Sequence, residues 1–205
     1  RTYVDVIVKQ LGNRLKLDSP IQKVNRLKTG VELNFPDGSS ETFDEVILAC
    51  HADQSLRLLD NPDAEETGLL RAFPYEKNEV TLHSDDSVLP KRKSARASWN
   101  AYLPSKNSKN ALVSYDMNIL QSLPTREPFC VSLNQEDQID NRKEHAQFQY
   151  SHPTYHPGRR KAQADHQNFI RRKGISLCGA YWGYGFHEDG LTSGLRVCKA
   201  FGSEL

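Results

Sequence analysis

The start of the chain has the hydrophobic spacing of an amphipathic helix. Apolar side chains recur three or four residues apart between Val4 and Leu11, and Gly12 follows the last of them. This spacing places the apolar side chains on one helix face, and glycine is a common helix end. The pattern therefore predicts a helix over residues 2–11.

Three strand-like runs follow this helix. They cover residues 21–27, 31–35 and 42–50. The turn-forming sequences Thr29-Gly30 and Pro36-Asp37-Gly38 separate them. The last run is continuously apolar over residues 46–50, which is typical of a buried strand. We therefore predict a β-meander with a buried third strand.

The middle of the chain is predicted to form two short helices and then a sheet. Residues 51–59 favour the first helix, and the acidic stretch 60–70 leads to the second. Strand-like runs then cover residues 73–85, 95–103, 110–123 and 128–134, and the second and third runs are either two further strands or a strand followed by a short helix. Strands that follow one another so closely predict an antiparallel sheet, with residues 147–151 as an edge strand.

The end of the chain is predicted to form a helix, a strand, a glycine-rich turn and a second helix. The first helix is predicted over residues 159–172 and ends at Gly174, before a strand at 175–178. The last helix is predicted from about Ser193 onward. A helix that starts after a strand and a glycine loop offers unpaired N–H groups and the positive end of its dipole. That arrangement suits an anion or an electron-rich ring oxygen.

The segment LCGAYWGYGFHEDGLTSGLRVCKAFG at residues 177–202 resembles the C-terminal flavin-contacting motif of the FAD-dependent amine oxidase superfamily. The branch of predicted NAD/FAD-binding oxidoreductases is the most similar. The resemblance implies that a strand ends beside the cofactor and that backbone N–H groups face the flavin pyrimidine ring. The cofactor-binding residues that it implies here are Gly179, Ala180, Gly190, Leu191, Thr192 and Gly194.

The meander resembles the same superfamily. Pro20-Ile21 stands where its members carry a Pro-Val-like pair whose backbone meets the adenine of FAD. Residues 44–49 have the form D-x-VI-x-A, which implies a strand that returns to the cofactor at Ala49. The resemblance thus adds Ile21 and Ala49 to the expected FAD contacts.

The aromatic residues of the glycine loop, which include Phe186, and Trp99 in the run 95–103 are candidates for a substrate pocket. The residues expected to line it are Trp99, Tyr181, Trp182, Tyr184 and His187. Core packing is the alternative for the aromatic side chains, because it is their commoner role. His187 is equally suited to carry a proton or to fix the loop, since histidines titrate near neutrality. Glu188 and Asp189 are expected to cap the last helix. No catalytic residue is assigned.

Composition and charge give no support to nucleic-acid binding, membrane binding or a metal site. The net charge is +1 and 37% of residues are hydrophobic, which gives no argument for nucleic-acid or membrane binding. The basic run 90–96 is expected to have a structural or substrate-side role. No transmembrane segment and no secretory signal are visible, and four scattered cysteines favour reduced thiols in a cytoplasmic protein. No metal is expected, because Pro153 and Pro157 interrupt the histidine-rich segment.

A GxGxxG phosphate-binding sequence does not occur in the chain. Members of the superfamily begin with that sequence, so we expect a C-terminal portion whose N-terminal dinucleotide-binding segment lies elsewhere in its own chain. The predicted class is α+β, from an α/β parent. Parts of the FAD-binding domain are expected at 1–60, as helix and β-meander, and at 175–205, as strand, loop and helix. An antiparallel-sheet substrate domain is expected at 61–174.

The implied function is that of a flavin-dependent oxidoreductase that transfers a hydride from a small-molecule or lipid-linked substrate to FAD. The 205-residue chain alone is expected to bind FAD weakly or not at all and to be inactive, because the missing loop normally holds the phosphates. Two alternatives remain: a cofactor-free binding or scaffold module that kept the fold, and a flavin mutase or isomerase without net oxidation.

Overall fold

The computed structural model describes residues 2–102 and 112–203 of the chain. The contacts divide it into two compact units, which are Arg1–Pro74 with Pro153–Leu205, and Tyr75–His152. We call them the first and the second unit. Helices and antiparallel sheets are both present, which confirms the α+β class. The borders predicted for cofactor and substrate domains, at residues 60 and 174, stay a prediction.

The first unit begins with helix α1, Thr2–Leu11, as the hydrophobic spacing predicted. Gly12 ends it with a positive φ of 54°. Side chains from Tyr3 to Leu11 are all exposed, and Ile7 keeps 50% of its surface accessible. Despite this apolar exposure, none of the helices within residues 2–102 and 112–203 has the length and hydrophobicity needed to cross a bilayer.

A three-stranded meander follows α1. Its strands are β1 (Lys23–Arg26), β2 (Val31–Asn34) and β3 (Ser40–Phe43), paired antiparallel in that order. Gly30 makes the first turn with a φ of 89°, and any side chain there would collide with the carbonyl oxygen of Phe43. Val24 and Val31 are buried. The predicted meander is thus confirmed, with its third strand ending at Phe43.

The prediction of one buried strand over residues 42–50 was wrong. The chain leaves the meander after β3 and forms β4, Val46–Leu48, which pairs in parallel with β10, Ile175–Leu177. Leu48 is buried, whereas Ile47 is 47% exposed. Neighbouring residues of a strand point to opposite faces, so only one face of β4 is covered within the first unit.

Two capped helices follow β4. They are α2, Ala52–Leu58, and α3, Ala64–Arg71, in the region where two short helices were predicted. Asp63 caps α3 by accepting from the amide of Glu66 at 2.9 Å. Its carboxylate also accepts from Lys173 at 2.8 Å and Arg172 at 3.0 Å. The bond from Lys173 is the main reason why the pKa of Asp63 lies below its usual range.

The helix predicted over residues 159–172 ends early. Helix α5 covers Arg159–Ala164, and a 3₁₀ turn, His166–Phe169, follows it. Arg171 has a positive φ of 56°, and its amide donates to Ser176 Oγ at 2.8 Å instead of to a helical carbonyl. Gly174 then leads into β10 with a φ of 79°, as predicted. The segment is shortened because its last residues bond to β10.

The last helix begins earlier than predicted. Helix α6 covers His187–Ala200, so it starts six residues before Ser193. The glycine-rich loop is confined to residues 178–186, and Gly190 and Gly194 are helical. The order of strand, loop and helix is confirmed, whereas the position of the helix start was wrong.

The second unit is built on a five-stranded sheet. Its strands are β5 (Tyr75–His83), β6 (Trp99–Tyr102), β7 (Leu112–Asp116), β8 (Cys130–Leu133) and β9 (Glu144–Pro153), and α4 (Met117–Leu120) follows β7. The order across the sheet is β6-β7-β8-β5-β9. The predicted antiparallel sheet and edge strand are confirmed; residues 103, 110 and 111 of the predicted runs lie outside the described residues.

One face of this sheet buries a row of polar side chains. His83 Nε2 lies 2.8 Å from Ser132 Oγ, Ser132 lies 2.7 Å from Ser114, and Gln135 donates to Ser114 at 2.9 Å. The amide of Asp85 donates to His83 Nδ1, so the proton of the neutral ring is on Nε2. Burial is the main cause that lowers the pKa of His83. The row therefore holds a neutral histidine that donates to Ser132.

The opposite face carries apolar side chains. The pairing register aligns Trp99, Tyr115, Val131 and Leu82 across four strands. The rings of Trp99 and Tyr115 meet edge to face at 5.4 Å, and Trp99 is 53% exposed. The three other side chains are half-buried. This face is more apolar and more accessible than the polar face.

The polar row predicts a large effect of removing its central hydroxyl. Ser132→Ala leaves the buried Nε2–H of His83 without an acceptor, which should destabilise the protein by about 1–3 kcal/mol. Urea unfolding measures the change. Ser94→Ala, at an exposed serine of the same unit, is the control and should change stability by less than about 0.5 kcal/mol. Equal stabilities of the two variants would contradict the role given to Ser132.

Candidate functional site

The carboxyl ends of β4 and β10 form the centre of the candidate site. Leu177 pairs with Leu48 in the parallel register, and the amide of Cys178 donates to Leu48 O at 3.0 Å. Ala49 and Gly179 come directly after these bonds, so the structure brings these two predicted residues together. Ligands of open α/β sheets bind beyond the carboxyl ends of parallel strands.

Gly179 allows the backbone to turn sharply at the end of β10. Its φ is 150°, and a Cβ there would lie 2.8 Å from the Tyr181 ring. Its amide donates to Ser193 Oγ at 2.9 Å, and that hydroxyl donates to Gly190 O at 2.8 Å. Ser193 therefore ties the end of the strand to the first turns of α6. The sequence marks Ser193 only as a predicted helix start, and no local pattern reveals this second role.

The amides predicted to face a flavin lie inside α6. The amide of Gly190 donates to Phe186 O at 3.2 Å. Leu191 and Thr192 come next, where helical amides bond to carbonyls four residues earlier. The first amides without such a carbonyl are those of His187 and Glu188. Flavin contact by residues 190–192 and by Gly194 stays a prediction, and the helix start offers these two amides as donors.

Asp189 fixes the loop before α6. Its Oδ2 accepts from the amides of Tyr184 at 3.0 Å and Phe186 at 2.9 Å. A Cβ on Gly183 would lie 2.6 Å from the Cβ of Asp189, so the carboxylate can fold over the loop only beside a glycine. The capping role predicted for Asp189 is confirmed. Glu188 stands in the same acidic first turn, where negative charge favours the helix dipole.

Helix α5 holds the loop from the other side. Arg159 Nη2 donates to Gly183 O at 2.7 Å. Gln163 Nε2 donates to the same oxygen at 2.6 Å and to Tyr181 O at 2.9 Å. The loop carbonyls are thereby satisfied by side chains that lie some twenty residues earlier. No local signal distinguishes these two residues from other polar residues of the segment.

The aromatic residues of the loop divide into two groups. Tyr181 and Trp182 are buried, and their rings pack against Phe73 at 4.9 and 5.6 Å. Tyr184 is 73% exposed, and His187 is also exposed. Core packing therefore accounts for much of the burial of Tyr181 and Trp182. Contact of these residues with a substrate stays a prediction.

Two predicted residues lie away from the strand ends. Ile21 is half-buried just before β1, where the amide of the next residue, Gln22, donates to Asn34 O at 2.8 Å. Trp99 belongs to the sheet of the second unit. Their contacts with adenine and substrate stay predictions. Within residues 2–102 and 112–203, no three histidine, cysteine or acidic side chains are grouped as metal ligands.

The buried ring of His166 holds the end of β10 by bonding to its last residue, Leu177. Its Nε2 lies 2.8 Å from Leu177 O, which can only accept, and its ring stacks on Trp182 at 4.0 Å. Nδ1 is buried and has no partner among the described residues. Burial is the main cause that lowers the pKa of His166. The ring is therefore held neutral, with its proton on Nε2.

The contact between Gly183 and Asp189 predicts that substitutions at these two positions change the free energy of unfolding non-additively. Gly183→Ala should displace the carboxylate and cost about 1–3 kcal/mol, because two loop amides lose their acceptor. The same substitution should cost less in an Asp189→Ala background, since the two residues are in contact. Chemical unfolding of the four proteins measures the coupling. Gly68→Ala in α3 is the control: a Cβ there meets nothing, so helix propensity should raise stability by up to about 1 kcal/mol. If the losses in unfolding free energy of the two single variants simply add in the double variant, the predicted clash is contradicted.

Because the pKa of the buried His166 ring is lowered, the protein is predicted to lose stability in mild acid. Below an unfolded pKa of about 6.5 the unfolded chain binds a proton that the folded ring resists, so the free energy of unfolding should fall. His166→Leu should be less stable than wild type at about pH 8, because the bond to Leu177 is lost. The difference should narrow toward about pH 5, since leucine does not titrate. Parallel stability curves would contradict this account.

The family comparison matches the start of the chain. Residues 1–91 match the model of the flavin containing amine oxidoreductase family. That match covers α1, the meander, β4 and the beginning of the second unit. No curated protein matches the sequence.

Solved structures extend the likeness to most of the chain. Cyclohexylamine oxidase from Brevibacterium oxydans IH-35A aligns with a TM-score of 0.63 and 11% identity, over 95% of this chain and 50% of that one. Wild-type putrescine oxidase bound to putrescine gives 0.60 and 12%, over 95% and 51%. A CLA-producing fatty acid isomerase from P. acnes gives 0.59 and 13%, over 89% and 47%.

These likenesses show the fold, and the chain spans about half the length of the structures that it matches. The neighbours include amine oxidases, as the motif at residues 177–202 implied. The resemblance to the FAD-dependent amine oxidase superfamily is therefore confirmed: residues 1–91 match its flavin-containing family, and the chain has the fold of about half of such an oxidase.

Proposed function

We propose that this chain is part of an FAD-dependent oxidoreductase that takes a hydride from its substrate. The observation that carries the proposal is the geometry at the ends of β4 and β10, within a chain whose start matches a flavin-containing family. Gly179 turns the backbone at the end of β10, Ser193 ties that turn to the first turns of α6, and the start of α6 offers two amide donors. These features suit a planar ring with carbonyl oxygens. When bound, FAD would supply the redox chemistry.

The residues proposed to hold FAD are those that the motifs imply, and the placement at the strand ends supports Ala49 and Gly179 among them. They are Ile21, Ala49, Gly179, Ala180, Gly190, Leu191, Thr192 and Gly194, and the start of α6 adds the amides of His187 and Glu188. Ser193 and Asp189 would act indirectly by holding the strand end and the loop in place. Since Asp189 accepts from two loop amides, it positions the loop. His187, which is exposed at the helix start, is the side chain proposed to hold or move a proton.

The chain is proposed to obtain its phosphate contacts from a segment outside these 205 residues. It spans about half of the flavin oxidases that it matches, and it contains no GxGxxG sequence. Such a sequence normally places the pyrophosphate at a helix start. The 205 residues alone should therefore bind FAD weakly or not at all and should be inactive.

The substrate is proposed to be apolar and lipid-linked, and residues 61–174 to form its domain. The row Trp99, Tyr115, Val131 and Leu82 is accessible and contains no charge. On the neighbouring edge strand β9, the rings of Phe148 and Tyr150 are stacked at 5.8 Å and are about half exposed. Exposed apolar patches of this kind mark binding surfaces. Trp99, Tyr181, Trp182, Tyr184 and His187 remain the proposed substrate-side residues.

A second candidate is a flavin isomerase that returns the hydride to the same substrate. The similarity to the CLA-producing fatty acid isomerase favours it, because that protein isomerises a fatty acid and shares the fold of this chain. A cofactor-free module is the remaining alternative. The four cysteines are free thiols in the structure, which supports a reducing compartment such as the cytoplasm for any of these.

A flavin titration tests the proposal. We expect the 205-residue chain to bind FAD weakly or not at all, and a longer natural protein that contains it to bind one FAD. In the longer protein, Gly179→Val should weaken FAD binding about tenfold or more, because its side chain meets the Tyr181 ring and the Cys50 carbonyl. Gly68→Ala is the matched control and should bind normally. Failure of the longer wild-type protein to bind FAD would favour the cofactor-free module.

Anaerobic mixing with lipid substrates then separates the two enzyme classes. An oxidase should lose its visible flavin absorption as the substrate is oxidised, whereas an isomerase should convert substrate and recover the absorption without an acceptor. Recovery with isomerised product would contradict the oxidase and support the second candidate.

A further inference from the structure

A cavity of about 420 Å³ lies in the first unit beside the loop before α6. It is lined by two arginines, Arg159 and Arg160, by His156 and by aromatic side chains that include Tyr155, Trp182 and Tyr184. No carboxylate is among its lining residues. The volume is within the range of small-molecule sites, and the polar part of the lining consists largely of hydrogen-bond donors.

Arg159 is a buried cation at the wall of this cavity. Its residue is only 3% exposed, and Nη2 donates to Gly183 O at 2.7 Å. Nε and Nη1 are buried without a hydrogen-bond acceptor, and no carboxylate pairs with this side chain among the described residues. Burying a charge without a counter-charge is costly, so the site gains stability when an anion enters.

His156 adds a donor to the same cavity. Its Nδ1 accepts from the amide of Gly158 at 3.1 Å, so in the neutral ring the proton is on Nε2. Arg160 is exposed at the cavity and adds a second positive charge. Two guanidinium groups and a histidine N–H are the set of donors that suits phosphate oxygens, because arginine binds them in a fork-like geometry.

We propose that this cavity binds a small phosphate-bearing molecule, with Arg159 as the anchoring cation. The aromatic rings that line the rest of the cavity suit the organic part of such a ligand. The ring of Tyr155 lies 4.6 Å from the guanidinium of Arg159, and its hydroxyl donates to Tyr184 O at 2.6 Å. Tyr155 is 69% exposed, so its ring can move aside and give a phosphate access to the N–H groups in the plane of the guanidinium. Trp182 and Tyr184 are also among the proposed substrate-side residues, but the two arginines that carry this site are not, and phosphate binding can be tested without FAD.

Trp182 provides the signal for a direct test. The chain has two tryptophans, so Trp99→Phe leaves Trp182, beside the cavity, as the single tryptophan, whose emission can be excited selectively. This protein is titrated with inorganic phosphate and, separately, with acetate, at constant ionic strength. We expect a saturable change in fluorescence with phosphate and binding about tenfold weaker or more with acetate. Equal affinities for the two anions would overturn the phosphate assignment.

Three variants in that background locate the binding. Arg159→Gln should weaken phosphate binding about tenfold or more, Arg160→Gln should weaken it about threefold, and Arg92→Gln should leave it unchanged. Arg92 is an exposed arginine of the second unit, so it controls for net charge. If circular dichroism shows that Arg159→Gln does not fold, the phosphate affinity of Arg160→Gln relative to Arg92→Gln tests the proposal. Equal effects of Arg160→Gln and Arg92→Gln, or a change that never saturates, would overturn the proposal.

Discussion

The parallel pairing of β4 with β10 is the contact on which the candidate site depends. These strands of three residues each come from distant parts of the chain, and their carboxyl ends bring Ala49 beside Gly179. The hydroxyl of Ser193 then joins the amide of Gly179 to the carbonyl of Gly190. Strand end, loop and helix start are thereby fixed as one arrangement. A ligand at the strand ends would meet a backbone already held in position.

The loop before α6 is ordered by side chains that satisfy its backbone groups. Asp189 accepts from two amides, while Arg159 and Gln163 donate to the carbonyl of Gly183. Because buried backbone groups need partners, these bonds replace the ladder that a strand would provide. Arg159 differs from the rest, since two of its nitrogens remain without an acceptor. The same residue that orders the loop therefore carries the unpaired positive charge.

The sheet of the second unit reverses the usual arrangement of a solvent-facing sheet. The row of His83, Ser132 and Ser114 is buried and closes its hydrogen bonds internally, whereas the row that contains Trp99 and Tyr115 is accessible. Antiparallel sheets commonly place the apolar face on the core and the polar face toward water. Here the polar row is stable because its groups bond to one another. The apolar face remains accessible for an apolar molecule.

Local patterns are enough to predict the order of the elements, helix α1, the meander and the antiparallel sheet, because spacing and turn residues act over a few positions. The motif at residues 177–202 likewise pointed to a flavin fold. Where the run 42–50 divides depends on a tertiary contact, because β4 pairs with the distant β10. The structure also ends α5 at Ala164, before Arg171 bonds to Ser176, and starts α6 at His187, where Asp189 accepts from the loop. The β4–β10 pairing joins residues that lie far apart in the chain, so no local pattern specifies it. The bonds of Arg171 and Asp189 are local, but hydrophobic spacing alone does not show that they set the helix ends.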